Sequence, residues 1–167
     1  MSVAAPTVRP ARSSDAPAVR ALLEAAFGGT AEADLIERLR EDGELLLALV
    51  AAQPDVVGYV AFSRLIVEGT SHADPAIALA PLAVAPATQR RGIGSALMRT
   101  GLDMFTRAGE ALVFVLGDPA YYTRFGFAPA DAFASPYAGP HFMVRRLAPH
   151  APSAGVVRYP RAFADLT

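Results

Sequence analysis

The fold is indicated by the stretch Ile77-Ala-Leu-Ala-Pro-Leu-Ala-Val84 and by the loop Gln89-Arg-Arg-Gly-Ile-Gly94 that follows it. The first stretch is a nearly continuous apolar run, which is typical of a strand buried on both faces. From Ile93 to Gly109 the apolar residues recur at helical spacing, and residues 111–116 form a second buried strand. This strand–loop–helix–strand unit predicts two parallel strands joined by a right-handed crossover.

Pro81 lies inside the first of these strands. Proline has no backbone N–H to donate, so a central strand tolerates it only where the pairing is already interrupted. The sequence therefore predicts a bulge or a splayed strand at this position.

The loop after this strand carries the spacing Gln-x-x-Gly-x-Gly, formed by Gln89, Gly92 and Gly94. Glycine lets the backbone approach an anion closely, and the first free N–H groups of a helix point toward such an anion. Arg90 and Arg91 add local positive charge. The alternative interpretation is a tight turn between a strand and a helix, followed by two solvated arginines.

Two common phosphate-binding motifs do not fit this loop. No lysine follows the glycines, which excludes a Walker A loop. The third glycine of the dinucleotide-binding fingerprint is also missing. The ligand that still fits this loop is the diphosphate group of some other cofactor.

The rest of the pattern predicts one mixed α/β domain. Asp15 precedes Pro17 and indicates a helix start, and Gly28 ends that helix. The other predicted elements are an edge strand at 7–10, a helix at 31–40, a hairpin at 45–52 and 56–65, a polar loop at 67–75, a short helix at 119–125, a late strand at 142–147 and a final edge element at 156–163. Because no repeat or linker divides the chain, we expect a single domain over residues 1–167.

Composition restricts the class of protein. The formal net charge of -1 gives no electrostatic reason to expect a nucleic acid or an anionic membrane as partner. The absence of cysteine excludes disulfides, thiolate zinc sites and a cysteine nucleophile. The first residues lack the pattern of an export signal, and no apolar run approaches the roughly 20 residues of a membrane span. We therefore expect a cytoplasmic monomer or homodimer without a metal site.

Three motifs in order resemble the GNAT acetyltransferase superfamily: Leu82-Ala-Val84, Gln89-Arg-Arg-Gly-Ile-Gly94 and Tyr122-Thr-Arg-Phe-Gly-Phe127. Two further stretches, Val115-Leu-Gly-Asp-Pro119 and Tyr159-Pro160, are similar to its YhbS-type branch. The resemblance extends over nearly the whole chain. It implies a central twisted, splayed, mixed β-sheet flanked by helices, and an N-acetyltransferase that takes acetyl-CoA as donor substrate.

By this resemblance, the loop holds the CoA pyrophosphate through backbone amides, and the strand end pairs with the pantetheine arm as an added strand would. The implied cofactor-binding residues are Leu82, Ala83, Val84, Gln89, Arg90, Arg91, Gly92, Ile93, Gly94, Ser95 and Tyr122. Tyr122 also matches the general acid that protonates the departing CoA thiolate. The alternative for Tyr122 is a packing role on a short helix. Val115 and Gln89 depart from many members, which carry asparagine and arginine there.

The general base is assigned to the polar loop at 67–75. An ammonium nucleophile with a pKa of about 10 must lose a proton before it attacks a thioester. Glu68, His72 and Asp74 lie in this loop, and Glu68 is the candidate base, directly or through water. The alternative is that each of the three is simply a solvated loop residue.

The leading hypothesis is direct transfer of the acetyl group to a primary amine, on a small molecule or a peptide, within a ternary complex. Since the chain has no cysteine, we expect no covalent enzyme intermediate. One alternative is a CoA-binding sensor or partner module of the same fold without efficient catalysis. The other alternative is a nucleotide-dependent oxidoreductase. The sequence does not identify the acceptor amine.

Overall fold

The computed structural model describes residues 5–165, which form one mixed sheet with helices on both faces. The strands are β1 (Thr7–Pro10), β2 (Leu45–Ala52), β3 (Val56–Glu68), β4 (Ala73–Val84), β5 (Leu112–Leu116), β6 (Ala128–Pro129), β7 (Phe133–Ala134), β8 (Phe142–Arg146) and β9 (Gly155–Arg158). The helices are α1 (Ala16–Phe27), α2 (Ala31–Glu41), α3 (Ile93–Arg107) and α4 (Pro119–Tyr122). The predicted mixed α/β fold is confirmed. Within the described part of the chain, no helix has both the length and the apolar character needed to cross a membrane.

The sheet divides at β3, whose two halves have different neighbours. The strand order is β1-β2-β3-β4-β5-β8-β6, and the first half of β3 pairs with β2 in antiparallel register. The second half pairs with β9, where Ile66 lies opposite Arg158. β9 in turn pairs with β7 in parallel. The C-terminal part of the chain is therefore fixed beside the sheet.

β4 and β5 are parallel neighbours, and α3 crosses between them. Their pairing runs only from Ile77↔Val113 to Leu79↔Val115. The apolar face of α3 is buried against this part of the sheet. The predicted strand–loop–helix–strand unit is confirmed.

The two strands separate after Leu79, where β4 contains an extra residue. Along β3, Val60 lies opposite Leu82 and Phe62 opposite Leu79, so two residues of β4, Pro81 among them, face a single residue of β3. Such a bulge bends the strand and interrupts its pairing. The bulge and the splay predicted from Pro81 are confirmed.

The bulge also reverses which residues of β4 face each side of the sheet. Ala78 and Ala80 pack on the side covered by α1 and α2, but beyond the bulge it is Ala83 that does so. Leu82 and Val84 pack on the side covered by α3. Because side chains alternate with a period of two, a strand without the extra residue would turn Leu82 to the opposite side.

The prediction of a polar loop at 67–75 is wrong. β3 continues to Glu68 and β4 begins at Ala73, so the turn is limited to residues 69–72. A hydrogen bond from the Gly69 N–H to the His72 carbonyl closes it at 2.8 Å. The strand continues because the end of β3 has partners on both sides, β4 and β9. Pairing with so distant a segment leaves no trace in the local polarity of the sequence.

Candidate active site

Two cavities meet at Leu82, where β4 and β5 separate. The first, here called the α2-side cavity, has a volume of about 320 Å³ and is lined by α1, α2, the separated strand ends and the C-terminal part of the chain. The second, the α3-side cavity, has a volume of about 620 Å³ and lies at the start of α3. Leu82 lines both, so the two cavities adjoin at this residue, and together they are called the cleft.

This cleft crosses the sheet. Leu35 and Phe163 in the wall of the α2-side cavity belong to the core beneath α1 and α2. Leu82 and Tyr122 in the same wall belong to the core beneath α3. The two cavities adjoin where β4 and β5 are no longer paired, so the splay leaves room for a ligand beside the separated strand ends.

The predicted glycine loop forms the wall of the α3-side cavity. Gly92 precedes α3 with a φ of 79°, and Arg90 has a φ of 66°, both in the left-handed region. The first hydrogen bond of the helix runs from the Ala96 N–H to the Gly92 carbonyl at 2.9 Å, so the N–H groups of residues 93–95 have no partner within the helix. Together with the positive end of the helix dipole, they suit a diphosphate.

Gly94 keeps this backbone accessible. A methyl group in place of its hydrogen would lie 2.8 Å from the Tyr121 hydroxyl oxygen. Tyr121 and Gly94 line the α3-side cavity together, so a side chain at residue 94 would fill the space between them. Glycine is required here for close approach rather than for an unusual backbone angle.

Gln89 ties the loop to the end of β4. Its side-chain amide donates a hydrogen bond to the Val84 carbonyl at 3.1 Å. This bond connects the loop directly to the end of the strand.

The open edge of β4 presents backbone groups to the α3-side cavity. The Ala85 N–H donates to the Val57 carbonyl of β3 at 2.8 Å. Backbone groups alternate along an antiparallel strand, so the groups of Ala83 also face β3, whereas those of Leu82 and Val84 face the open side. Of the three predicted strand residues, these two are positioned to pair with a ligand.

The cations beside the α3-side cavity differ from the predicted pair. Arg90 lines the cavity, whereas Arg91 is exposed outside its wall. Arg124 lines it as well, with its guanidinium 4.6 Å from the centre of the Tyr121 ring. Sequence interpretation missed Arg124 and Tyr121. The signal was their spacing of three residues around Tyr122, which places both on one side of a helical turn.

Tyr122 lies in the wall of the α2-side cavity and is 8% exposed. Asp118 caps its short helix, and the Asp118 carboxylate accepts a hydrogen bond from the Ala120 N–H at 3.0 Å. The Tyr122 ring packs on Gly117, where a methyl group would collide with it. Burial raises the pKa of Tyr122 to about 12, so the hydroxyl keeps its proton at neutral pH and remains a donor.

The structure does not bring Glu68 into this cleft. Its carboxylate accepts a hydrogen bond from Arg158 at 3.1 Å, beside the turn between β3 and β4. At about 3.3 Å per residue, the strand from that turn to Leu82 spans roughly 30 Å. His72 and Asp74 form a pair at 3.2 Å at the same end.

The α2-side cavity contains residues that sequence interpretation missed. Glu32 lies in the first turn of α2, and Tyr137, Tyr159 and Phe163 come from the C-terminal part of the chain. The aromatic residues lie far from Glu32 in the sequence, so no local motif contains both. The fold alone brings them to one cavity.

Comparison with known proteins identifies the family. The chain matches the model of the Acetyltransferase (GNAT) domain over residues 7–130. It belongs to the GNAT acetyltransferase family, which uses acetyl-CoA as acetyl donor. The predicted family and the predicted class of enzyme, an acetyl-CoA-dependent N-acetyltransferase, are confirmed.

Individual relatives agree with the predicted branch. The N-acetyltransferase YhbS of Escherichia coli strain K12 is 46% identical over 115 residues, 68% of this chain and 68% of that protein. A crystal structure of YhbS from Escherichia coli in complex with CoA has a TM-score of 0.86 and 38% identity, covering 96% of this chain and 92% of that chain. A GNAT family acetyltransferase from Brucella melitensis in complex with acetyl-CoA has a TM-score of 0.80 and 34% identity, covering 95% and 97% of the two chains.

Proposed function

We propose that this chain transfers the acetyl group of acetyl-CoA directly to a primary amine while both substrates are bound. The cleft carries this proposal, because the cavity at the anion-binding end of α3 adjoins a second cavity at Leu82, and Tyr122 lies in the wall of that second cavity. Two substrates can then meet without an enzyme-bound intermediate.

The donor occupies the α3-side cavity in this proposal. Its pyrophosphate accepts hydrogen bonds from the N–H groups at the start of α3, between Gly92 and Ser95, with Arg90 and Arg124 close to its charge. Its pantetheine arm lies along the open backbone edge of β4 at Leu82, as an added strand would. Gln89 acts indirectly, by holding the loop in place. The thioester then reaches the place where the two cavities adjoin.

The chemical step conserves atoms and electrons as follows. The amine nitrogen loses a proton, and its lone pair attacks the thioester carbonyl carbon, which forms the C–N bond and moves the carbonyl π pair onto oxygen. The tetrahedral intermediate collapses with cleavage of the C–S bond, and the pair leaves with sulfur. Overall, an ammonium and acetyl-CoA give an N-acetylated amine, CoA as a thiol and one free proton.

Tyr122 donates the proton to sulfur in this scheme. A departing thiolate needs a donor that is still protonated at neutral pH, and burial keeps the Tyr122 hydroxyl in that form. The tyrosinate regains its proton from the amine nitrogen, through water or the amide product as it forms.

The test combines binding with turnover. Calorimetric titration with acetyl-CoA should give a saturable heat, and a screen of primary amines with a thiol reagent should detect amine-dependent release of CoA. Mass spectrometry should find the amine heavier by one acetyl group and the protein unchanged.

Two other results would redirect the proposal. Binding of acetyl-CoA without turnover of any amine would favour a CoA-binding sensor or partner module. Stabilisation of the fold by NAD(P) but not by CoA would favour a nucleotide-dependent oxidoreductase. An acetylated protein intermediate would overturn direct transfer.

A further inference from the structure

The wall of the α2-side cavity has one charged side chain. Glu32 projects from the first turn of α2, and no other acidic or basic residue within residues 5–165 lines this cavity. The remaining wall is aliphatic or aromatic. A cavity of this kind binds a small molecule with an apolar body and few polar groups.

The carboxylate of Glu32 has no protein partner in the described part of the chain. Its neighbours along α2 are different: Asp34 and Glu37 both accept from the Arg20 guanidinium, at 2.9 and 2.8 Å. Each of these two carboxylates therefore has a cationic partner, whereas Glu32 has none among the described residues. A half-buried carboxylate without a protein cation gains most from a cationic ligand.

Another part of the cavity wall is built from ring faces and edges. The rings of Tyr137 and Tyr159 lie edge to face with centres 4.9 Å apart, and Tyr159 is 5.1 Å from Phe163. The Tyr137 hydroxyl donates to the Phe163 carbonyl at 3.3 Å, so its polar end is already bonded within the protein. The rings therefore present hydrocarbon and π surface, which favours an apolar body and also attracts a cation.

We propose that the acceptor is a monoamine whose ammonium group pairs with Glu32 and whose uncharged, apolar body packs on Tyr137, Tyr159 and Phe163. This inference rests on the proposed acetyl transfer and names its substrate class. A polyamine or an aminoglycoside carries further positive charges for which the cavity has no partner. A free amino acid carries a carboxylate that this wall, with its single negative charge and no cation, repels.

The volume agrees with this class. The α2-side cavity, at about 320 Å³, lies at the small end of the range for ligand sites and adjoins the cavity proposed for the donor. Exposed Phe27 and Leu116, 45% and 53% accessible, also line it and continue the apolar wall to the solvent. An amine on a body of the size of a phenyl or hexyl group fits such a space.

The experiment compares three probes with the CoA-loaded protein: 2-phenylethylamine, spermidine and phenylalanine. Calorimetry should show binding of 2-phenylethylamine at least tenfold tighter than of the other two. With acetyl-CoA in place of CoA, thiol release should follow the same order in kcat/KM. CoA carries no acetyl group, so the calorimetric readout measures binding of the amine without any turnover.

The matched variants are Glu32→Gln and Glu41→Gln, which lie on the same helix, with exposed Glu41 outside both cavities. Glu32→Gln should weaken 2-phenylethylamine binding and raise its KM about 10- to 100-fold, the loss expected for a charge-assisted contact. The kcat should change less than the KM. Glu41→Gln should match the wild type, and both variants should retain acetyl-CoA affinity. The neutral analogue 2-phenylethanol should bind the wild type and Glu32→Gln equally.

The remaining outcomes separate a failure of this inference from a failure of the proposed function. Equal KM in Glu32→Gln and wild type, a fall in kcat with unchanged KM, or tighter binding of spermidine or phenylalanine would contradict the inference. If the monoamine binds in a manner that depends on Glu32 but is not acetylated, the proposed acetyl transfer is contradicted instead. Failure of acetyl-CoA to bind the wild type would overturn both.

Discussion

At the residue scale, Tyr122 combines burial with a hydroxyl that the proposed chemistry requires. Replacement with phenylalanine keeps the ring contacts with Tyr121 and Phe127, whose centres lie 5.0 and 5.6 Å away. We expect Tyr122→Phe to lower kcat by about 100-fold, since general-acid catalysis contributes on this order. The acetyl-CoA dissociation constant should stay within about twofold. Steady-state kinetics with an active amine and calorimetry measure the two effects.

Tyr59 provides the control for that substitution. It is also buried, with a pKa raised by burial to about 12, but it lines neither of the two cavities. Its hydroxyl has no hydrogen-bond partner in the described part of the chain, so Tyr59→Phe should leave kcat unchanged and stability equal or higher. An unchanged kcat in Tyr122→Phe would assign Tyr122 to packing alone.

The residues of the cleft differ in how far the sequence predicts them. Tyr122 was identified because it belongs to a contiguous motif whose helix start, Asp118, can be recognised locally. Glu32 is not predictable as a site residue, because it lies on an ordinary amphipathic helix and the tyrosines that line the same cavity are more than 100 residues further along the chain. The sequence predicts a loop at Glu68 because its polarity is visible there, whereas the pairing of this segment with β9 is not.

At the element scale, the two ends of α3 allow a matched comparison. Gly92 precedes the helix and Gly109 follows it, with φ angles of 79° and 82°. A methyl group at either position would meet no atom within 4 Å. Alanine at each should therefore cost about 1–2 kcal/mol of folding free energy through the left-handed backbone alone. Urea unfolding of both variants measures this cost.

Only one of these two substitutions should affect the donor. Because Gly92 fixes the N–H groups of the anion-binding loop, Gly92→Ala should weaken acetyl-CoA binding about tenfold, whereas Gly109→Ala should not. Calorimetry on the two folded variants gives the comparison. Equal affinities would show that the loop geometry contributes nothing to donor binding.

The elements also show where sequence patterns suffice. Pro81 predicted the bulge because proline removes a donor that regular pairing needs, and this effect is local. The extra length of β3 was not predictable in the same way. Its last residues form a strand because β9 pairs with them. A side-chain hydrogen bond from Arg158 to Glu68 joins the same two strands.

At the scale of the whole molecule, Asp15 links the first strand to the first helix. Its carboxylate accepts two bonds from the Arg9 guanidinium, at 2.8 and 2.9 Å, and one from the Arg12 N–H at 2.7 Å. These bonds lower the pKa of Asp15 to about 2, from an ordinary value of 3.8. A depressed pKa contributes stability that is complete above about pH 4 and is lost as the pH falls toward 2.

We therefore expect Asp15→Asn to lower the free energy of unfolding by about 1–2 kcal/mol at pH 7, with the deficit shrinking below pH 4. Urea unfolding at pH 7 and pH 3 measures this difference. Asp103→Asn is the control, since Asp103 pairs with Arg107 at 3.1 Å on an exposed face where the two side chains are 56% and 80% accessible. A pH-independent deficit in Asp15→Asn would contradict the assignment.

The arrangement of the two cavities has a consequence for the order of events in a catalytic cycle. The two cavities are lined mostly by different elements, the start of α3 for one and α1, α2 and the C-terminal part of the chain for the other, so we expect each substrate to have its own entrance. We expect neither substrate to block the other, and therefore expect random-order binding rather than an obligatory sequence. The acetylated product can depart while CoA is still bound, and a fresh donor can exchange without waiting for the acceptor site to empty.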